Sequence, residues 1–278
     1  MKIGIIGIGY VGGTTYKVLK DYYDIIPYDK YKEEYKNNFE KLIDCEIIFI
    51  AVPTPMKNSG EIDLSNLKEV LTSLSNLNFK EKPTIVIRST AVPGTTENFS
   101  EEFNFDFVFN PEFLREKHAI EDFKNMNRVI LGASNQNSFE KVKEIYSKFL
   151  PNVKYVHTDF KTAEMIKYAS NTALATQIIM ANELYNICKS LNIEYNKVKE
   201  ILLLDNRIAR NISVPGPDGD FGFGGKCFPK DLNALVEISK KKGYYPRFFE
   251  EVWNSNLRFR KEKDWEKIKG ATSNNNFN

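Results

Sequence analysis

The first twelve residues constrain this chain more than any other stretch. An apolar run, Ile3-Gly4-Ile5-Ile6, breaks directly into Gly7-Ile8-Gly9-Tyr10-Val11-Gly12, and a helical stretch follows from about Thr14 to Lys20. A second apolar run at 25–28 ends on Asp29. That is the roughly 20-residue spacing of a carboxylate that takes the adenosine ribose hydroxyls. Each glycine has its own task. Gly7 makes the tight turn, Gly9 lets a pyrophosphate approach the backbone, and Gly12 lets helix and strand pack closely. The start of the helix, with Tyr10 and Val11, then faces the phosphates. A bare glycine motif is weak, and a ligand-free glycine turn is its rival reading. Strand, glycines, helix and acid in this order outweigh that rival and predict a dinucleotide-binding unit. Asp29 would repel a 2′-phosphate, which favours NAD over NADP, while Lys30 and Lys32 act in the opposite sense.

The first half keeps this rhythm. Apolar runs at 47–52, 84–87, 107–109 and 128–131 alternate with amphipathic segments such as 64–74 and 139–149. Near-continuous apolar strands between helices predict an α/β fold, a Rossmann-like doubly wound parallel sheet with its chemistry at the carboxyl ends of the strands. Three turns follow those ends: Val52-Pro53-Thr54-Pro55, Ser89-Thr90-Ala91-Val92-Pro93-Gly94-Thr95, and Asn110-Pro111-Glu112-Phe113-Leu114-Arg115-Glu116. From about Thr158 the pattern changes. Residues 162–191 hold neither proline nor glycine and carry apolar residues on more than one helical face, which predicts one long helix covered on several sides. Further helices are expected at 196–204, 232–242 and 248–265. The domain reading is therefore an NAD-binding Rossmann domain at 1–157, an all-helical dimerisation region at 158–265 and a disordered tail at 266–278.

With 278 residues the chain can bury one large core or two moderate ones. A formal charge of +2 gives no electrostatic case for nucleic acid or an anionic membrane. No apolar run reaches the length of a membrane span, and Met1-Lys2 leads straight into a strand, so neither a span nor a signal peptide is expected. Cys45, Cys188 and Cys227 have no paired spacing, which fits a reducing cytoplasm. With His118 and His157 the only histidines, a histidine-based zinc site or Ser-His-Asp triad is not expected.

Two clusters could carry chemistry. Gly222-Phe223-Gly224-Gly225-Lys226-Cys227-Phe228-Pro229-Lys230-Asp231 puts a thiol after a glycine-rich turn and a carboxylate four residues later. A thiol so presented can attack a substrate carbon while the carboxylate moves its proton. Alone, the segment reads equally well as a tight turn beside a buried cysteine. On the long helix, Glu164, Lys167 and Asn171 stand at i, i+3 and i+7 on one face. Such a set is more often a solvated stripe. Here it interrupts an apolar helix, and a lysine beside an amide suits an oxyanion site because both donate to charge developing on oxygen.

Taken together these segments resemble the UDP-glucose/GDP-mannose dehydrogenase family. The resemblance covers about residues 1–260 in seven collinear motifs. They are Gly7–Gly12, Val52–Pro55, Ser89-Thr90 with Pro93–Thr95, Asn110–Glu116, Glu164–Asn171 with Asn182-Glu183, Arg207-Ile208, and Phe221–Asp231. It implies oxidation of a nucleotide sugar, UDP-glucose foremost, from the C6 alcohol to the uronate with two NAD+ and one water. By the same resemblance Cys227 traps the aldehyde as a thiohemiacetal, a second hydride transfer gives a thioester, and water hydrolyses it. Lys167 and Asn171 would stabilise the C6 oxygen, with Asp231 handling the proton. Glu112, Glu116 and Thr90 would hold and activate water, Glu112 as general base. Val52, Pro53, Thr54, Thr90 and Glu116 would join the NAD site. Glu112, Phe113, Leu114, Arg115, Glu116, Phe223 and Gly224 would line the substrate site, and Arg207 would reach the sugar nucleotide of a neighbouring subunit. A homodimer through the 162–191 helix is expected, with no metal.

Four departures from the family pattern stand out. Members continue from a helix like 248–260 into a second Rossmann-like domain for the nucleotide, so the chain reads either as a truncated member or as a naturally short form. Lys117-His118 replace a glycine and a small residue, Lys226 replaces a smaller residue and would favour the Cys227 thiolate, and the 212–220 loop is longer. His118 reads as a surface or loop histidine, Cys45 and Cys188 as buried thiols. Two rival readings stay open. One is a dehydrogenase of the 3-hydroxyisobutyrate/6-phosphogluconate type, against which the cysteine segment counts. The other is a catalytically impaired NAD-binding remnant, against which the intact Cys227, Lys167, Asn171, Glu112 and Asp231 count.

Overall fold

The computed structural model describes residues 1–206, 208 and 212–273, the Glu116 side chain excepted. The chain divides into two compact units, Met1–Thr54 with Leu64–Lys167, and Pro55–Asp63 with the chain from Tyr168 onward.

In the first unit a seven-stranded sheet runs in the order β2-β1-β3-β4-β5-β6-β7, with β1 Lys2–Ile6, β2 Asp24–Tyr28, β3 Ile47–Ile50, β4 Thr84–Ile87, β5 Asp106–Phe109, β6 Arg128–Ala133 and β7 Lys154–Thr158. Its helices are α1 Tyr10–Leu19, α2 Ser65–Ser75, α3 Thr95–Glu102, α4 Ala119–Lys124 and α5 Gln136–Ser147. The first turns of α6, Phe160–Ser190, also belong here. The strands sort by alternation. Ile3, Ile5, Phe49, Val86, Val108 and Leu131 meet Val18 and Leu19 of α1 and Val142, Ile145 and Tyr146 of α5 on one face. On the other face Ile6, Ile48, Ile50, Ile85, Ile87 and Phe107 meet Leu67, Leu71 and Leu74 of α2, Phe99 of α3 and Ala163 of α6. Each side chain so buried contributes about 1.5–3 kcal/mol. This is why β3 and β4 read as unbroken apolar runs. Pro27 is tolerated within β2 because β2 is an edge strand and its outer side needs no ladder donor.

β1 to β5 are mutually parallel, as expected, but β6 runs antiparallel to β5, and β7 is parallel to β6. The link from β5 to β6 returns along the same sheet edge, so the Asn110–Arg115 turn and α4 stay at the carboxyl ends of β1–β5. β6 runs on past the expected end at 131 to Ala133, and β7, α3 and α4 are elements beyond those expected from the sequence.

The second unit is helical: the remainder of α6, then α7 Tyr195–Leu202, α8 Phe228–Lys241 and α9 Arg247–Phe259. Ala175, Ile179, Phe223, Leu232 and Val252 form one core and Ala181, Cys188, Tyr195, Ile212 and Val214 another. Two expectations are corrected. The last helix ends at Phe259 rather than 265, because Arg260 turns extended (φ −78°, ψ 124°) to place its guanidinium inside. The stretch after 265 is not a loose tail through its described part. Ala271 is buried, Met56 N–H donates to Ala271 O (2.9 Å), and Ser273 N–H donates to Met56 O (2.8 Å). Trp265 packs beside Trp253 at 5.4 Å between ring centres. Residues 274–278 lie outside the described residues. No helix among the described residues is long and apolar enough to cross a membrane.

Candidate active site

The glycine turn has the shape its sequence requires. Gly7 sits at φ +85°, and a side chain there would strike Ala51 O, while one at Gly12 would strike Gly7 O. At Gly9, by contrast, a side chain would meet nothing within 4 Å. The open side of the turn is therefore where a dinucleotide's phosphates fit, against the N-terminus of α1. A cleft of about 850 Å³ opens beside it, where Lys17, Lys20, Lys32 and Lys117 outnumber Glu34 and Glu121, a balance suited to an anion. Asp29 closes β2, accepting from Ile8 N–H (2.8 Å) and Tyr31 N–H (2.9 Å). A carboxylate has about four acceptor positions, so ribose hydroxyls fit beside those two bonds. The neighbouring loops are tied together: Ser89 Oγ donates to Val52 O (2.8 Å) and Asn66 Nδ2 to Pro53 O (3.0 Å), with Thr54 buried and Thr90 half-buried.

At the end of β5, Glu112 meets α6. Lys167 Nζ donates to the Glu112 carbonyl (2.7 Å) and to its Oε1 (2.8 Å), and Leu114 N–H donates to Oε2 (2.8 Å). Both charged groups are buried. Burial alone would raise the Glu112 carboxyl, but the adjacent Lys167 ammonium, with Leu114 N–H and the Arg88 charge, holds it below its ordinary value. The Phe113 ring lies under Lys167, 5.6 Å from Nζ. Glu164 does not share this site. Its carboxylate takes the first N–H groups of α3: Gly94 N–H (2.6 Å), Thr96 N–H (2.8 Å) and Thr96 Oγ1 (2.6 Å) all donate to it. Burial pushes Glu164 up to about 7 against those bonds.

In the second unit Cys227 occupies the N-cap position of α8 and is exposed, outside any disulfide. A helix start favours negative charge. One turn on, Asp231 is 1% exposed and accepts from Asn171 Nδ2 (2.5 Å) and Lys230 Nζ (2.5 Å). The glycine-rich turn before Cys227 is gripped from behind. Asn256 pairs with both the N–H and C=O of Phe223 (2.7 and 3.0 Å), and Gly225 N–H donates to Asp264 (3.0 Å). Buried Arg260 donates to Asp218 (2.8 Å) and pairs with Asp264 (3.2 Å). A side chain at Gly222 would strike Asn256, and one at Gly224 would strike Arg260 and Asp264.

Comparison with known proteins matches this geometry to one family. Residues 29–150 match the NAD binding domain of the UDP-glucose/GDP-mannose dehydrogenase family and residues 161–258 its central domain. A UDP-glucose 6-dehydrogenase from Haloferax volcanii is 32% identical over 92% of the chain and 69% of its own length. The chain belongs to the UDP-glucose/GDP-mannose dehydrogenase family. A UDP-glucose 6-dehydrogenase from Rickettsia bellii is 39% identical over 78% of the chain, which here spans half the relative's length. Among solved structures, a UDP-glucose dehydrogenase from Pyrobaculum islandicum superposes with a TM-score of 0.81 at 25% identity, covering 92% of this chain and 68% of that one.

As a UDP-glucose/GDP-mannose dehydrogenase family member with an NAD-binding domain, the chain brings together some expected residues and not others. Lys167 with Glu112, and Asn171 with Asp231, are direct partners. Arg115 is turned to Asp122, donating to it from Nε and Nη2 (3.0 and 2.6 Å). The Phe223 ring is buried in the helical core between Phe228 and Trp253, so only its backbone is available to a ligand. Gly224 makes room for Arg260 and Asp264. Arg207 lies outside the described residues, as does the Glu116 side chain. His118 is a surface histidine 3.4 Å from Glu121. Cys45 and Cys188 are buried, and burial, with Asp44 nearby, pushes the Cys45 thiol up to about 12. Three residues were passed over: Lys230 beside Asp231, Arg260 behind the cysteine loop, and Arg88. A charge closing an apolar strand was the available signal for Arg88.

Proposed function

We propose that this chain catalyses NAD-dependent oxidation of the C6 alcohol of a nucleotide sugar, UDP-glucose foremost, to the uronate. The observation that carries the reading is a pair of buried donors on one helix, each aimed by its own carboxylate: Lys167 by Glu112 and Asn171 by Asp231. Both side chains are buried, and solvated ones would not need this support. Bound NAD+ supplies the hydride acceptor for each of the two oxidations. Lys167 and Asn171 donate to the C6 oxygen as it gains negative charge. The Cys227 sulfur adds to the aldehyde carbon, and the carbonyl oxygen takes up a proton, giving a thiohemiacetal. Loss of hydride and the hydroxyl proton then yields a thioester. Water attacks that carbon with Glu112, ionised beside Lys167, taking its proton. The C–S bond breaks, the thiol is re-formed and the carboxylate leaves. Asp231 orients Asn171 and takes up the proton that the C6 hydroxyl loses.

The names of the relatives favour UDP-glucose over other sugar nucleotides. The test is NADH release with a panel of UDP- and GDP-sugars. Two NADH per uronate with UDP-glucose is expected, and no NADH with any member of the panel would overturn the reading. We also propose that the chain pairs with a second copy through α6, where Met180 and Ile187 stand exposed at helical spacing, with Leu191 just past its end.

A further inference from the structure

Arg88 follows the last residue of β4 and is 3% exposed. Its Nη1 donates to Asn110 Oδ1 (2.6 Å) and to the Tyr146 hydroxyl (2.5 Å), which itself donates to Asn110 Oδ1 (2.5 Å). The Phe123 ring lies 5.4 Å from the guanidinium, and Nε has no hydrogen-bond partner. Among the described residues no carboxylate forms an ion pair with it. The acceptors are thus neutral. They fix the guanidinium without cancelling its charge, and a buried arginine keeps that charge. Burying an uncompensated charge is costly, so its presence needs an account.

Asn110 provides one. Its Nδ2 donates to Ile130 O (2.9 Å), so the residue is clamped between Arg88 and β6, and two residues later comes Glu112. We infer that Arg88 is a positioning residue for the Glu112–Lys167 pair, anchoring the Glu112 loop through Asn110 and giving that carboxylate a second fixed positive charge. The inference rests on the catalytic reading for the roles of Glu112 and Lys167. Its consequence is that Glu112 stays ionised when Lys167 turns its donors toward a substrate oxygen. Lys167 of α6 pairs directly with Glu112, and the Arg88 charge at the end of β4, bonded to Tyr146 of α5, acts on it more weakly.

The test titrates Glu112 directly by carbon NMR in glutamate-labelled whole chain, its signal assigned with Glu112→Gln. Arg88→Gln keeps a donor and drops the charge, and should raise the Glu112 midpoint by about one pH unit. Arg88→Lys keeps the charge and should stay within about 0.3 of wild type. In turnover, Arg88→Gln should move the acid limb of kcat upward with KM unchanged. An unmoved Glu112 midpoint in folded Arg88→Gln overturns the inference. Should that variant fail to fold, Arg88→Lys decides alone, because a shift as large as one unit there would mean the charge is not what acts. The titration needs no turnover, so absence of dehydrogenase activity would sink the catalytic reading and leave this result standing.

Discussion

Removing the Lys167 ammonium strips Glu112 of the nearest charge that holds it ionised inside the protein. Lys167→Met should therefore do two separable things. It should slow the hydride-transfer steps about a hundredfold by removing charge stabilisation at the developing oxyanion. It should also cost about 3–5 kcal/mol of stability, because a buried carboxylate is left without its partner. Adding Glu112→Gln should restore much of the stability and none of the rate, as read by chemical denaturation and stopped-flow NADH formation. The sign with pH follows from the same pair. Glu112 lies below its ordinary 4.5, so the stability it contributes is present above that pH and is lost as pH falls through its lowered value. Cys227 is a contrasting case. It is exposed, so Cys227→Ser should leave stability within about 0.5 kcal/mol of wild type. A hydroxyl is a poorer nucleophile and its ester less reactive, so this variant should halt after one oxidation or at a slow ester. Mass spectrometry of the protein after incubation with UDP-glucose and NAD+ should then show an adduct or released aldehyde. Normal uronate formation would mean that the thiol is not the nucleophile.

Helix α3 depends on a residue far away in sequence. Glu164 of α6 supplies the acceptors for its first N–H groups, and Gly94, at φ +98°, has no side chain to do so. With Glu164 raised to about 7, the folded protein holds the proton more tightly than the unfolded chain does. Its contribution is complete below about pH 4.5 and is lost as pH rises through 7, an effect of about 3 kcal/mol across that window. Glu164→Gln removes the titration, so relative to wild type it should gain about this much between pH 5 and 8. A constant difference between the two across that range would show that the three hydrogen bonds keep Glu164 ionised throughout. Legibility at this scale followed burial. β1, β3 and β4 announced themselves because both faces are covered and every inward position is apolar. α3 reads Thr-Thr-Glu-Asn-Phe-Ser-Glu-Glu, with one large apolar anchor, and carries almost no periodic signal. The reversal of β6 was invisible because strand direction is decided by how a connection crosses the sheet, not by the residues of the strand.

Across the whole molecule, residues that the sequence singles out for their own chemistry find partners in the fold, Lys167 with Glu112 and Asn171 with Asp231, and Gly7 and Gly12 hold the tight turn. Residues that act through others stayed hidden, since Arg88, Lys230 and Arg260 matter only by what folding sets against them. Glu164 was misread for the same reason, because its face of the helix looked outward to chemistry and turned out to cap a neighbour. The exposed stripe Met180, Ile187 and Leu191 leads to the last prediction. Sedimentation at micromolar concentration should show a dimer, and Ile187→Glu should shift it to monomer; a monomeric wild type would end the pairing proposal. The short excursion Pro55–Asp63 leaves the sheet unit to serve the helical one, where Met56 pairs with Ala271 and Thr272 and Lys241 meets Glu61. The two units are therefore not consecutive cassettes in the gene. A chimera that took one from a relative would need matched junctions at 54/55, 63/64 and 167/168. A fragment begun at Tyr168 would lack the peptide on which its own C-terminal end is laid.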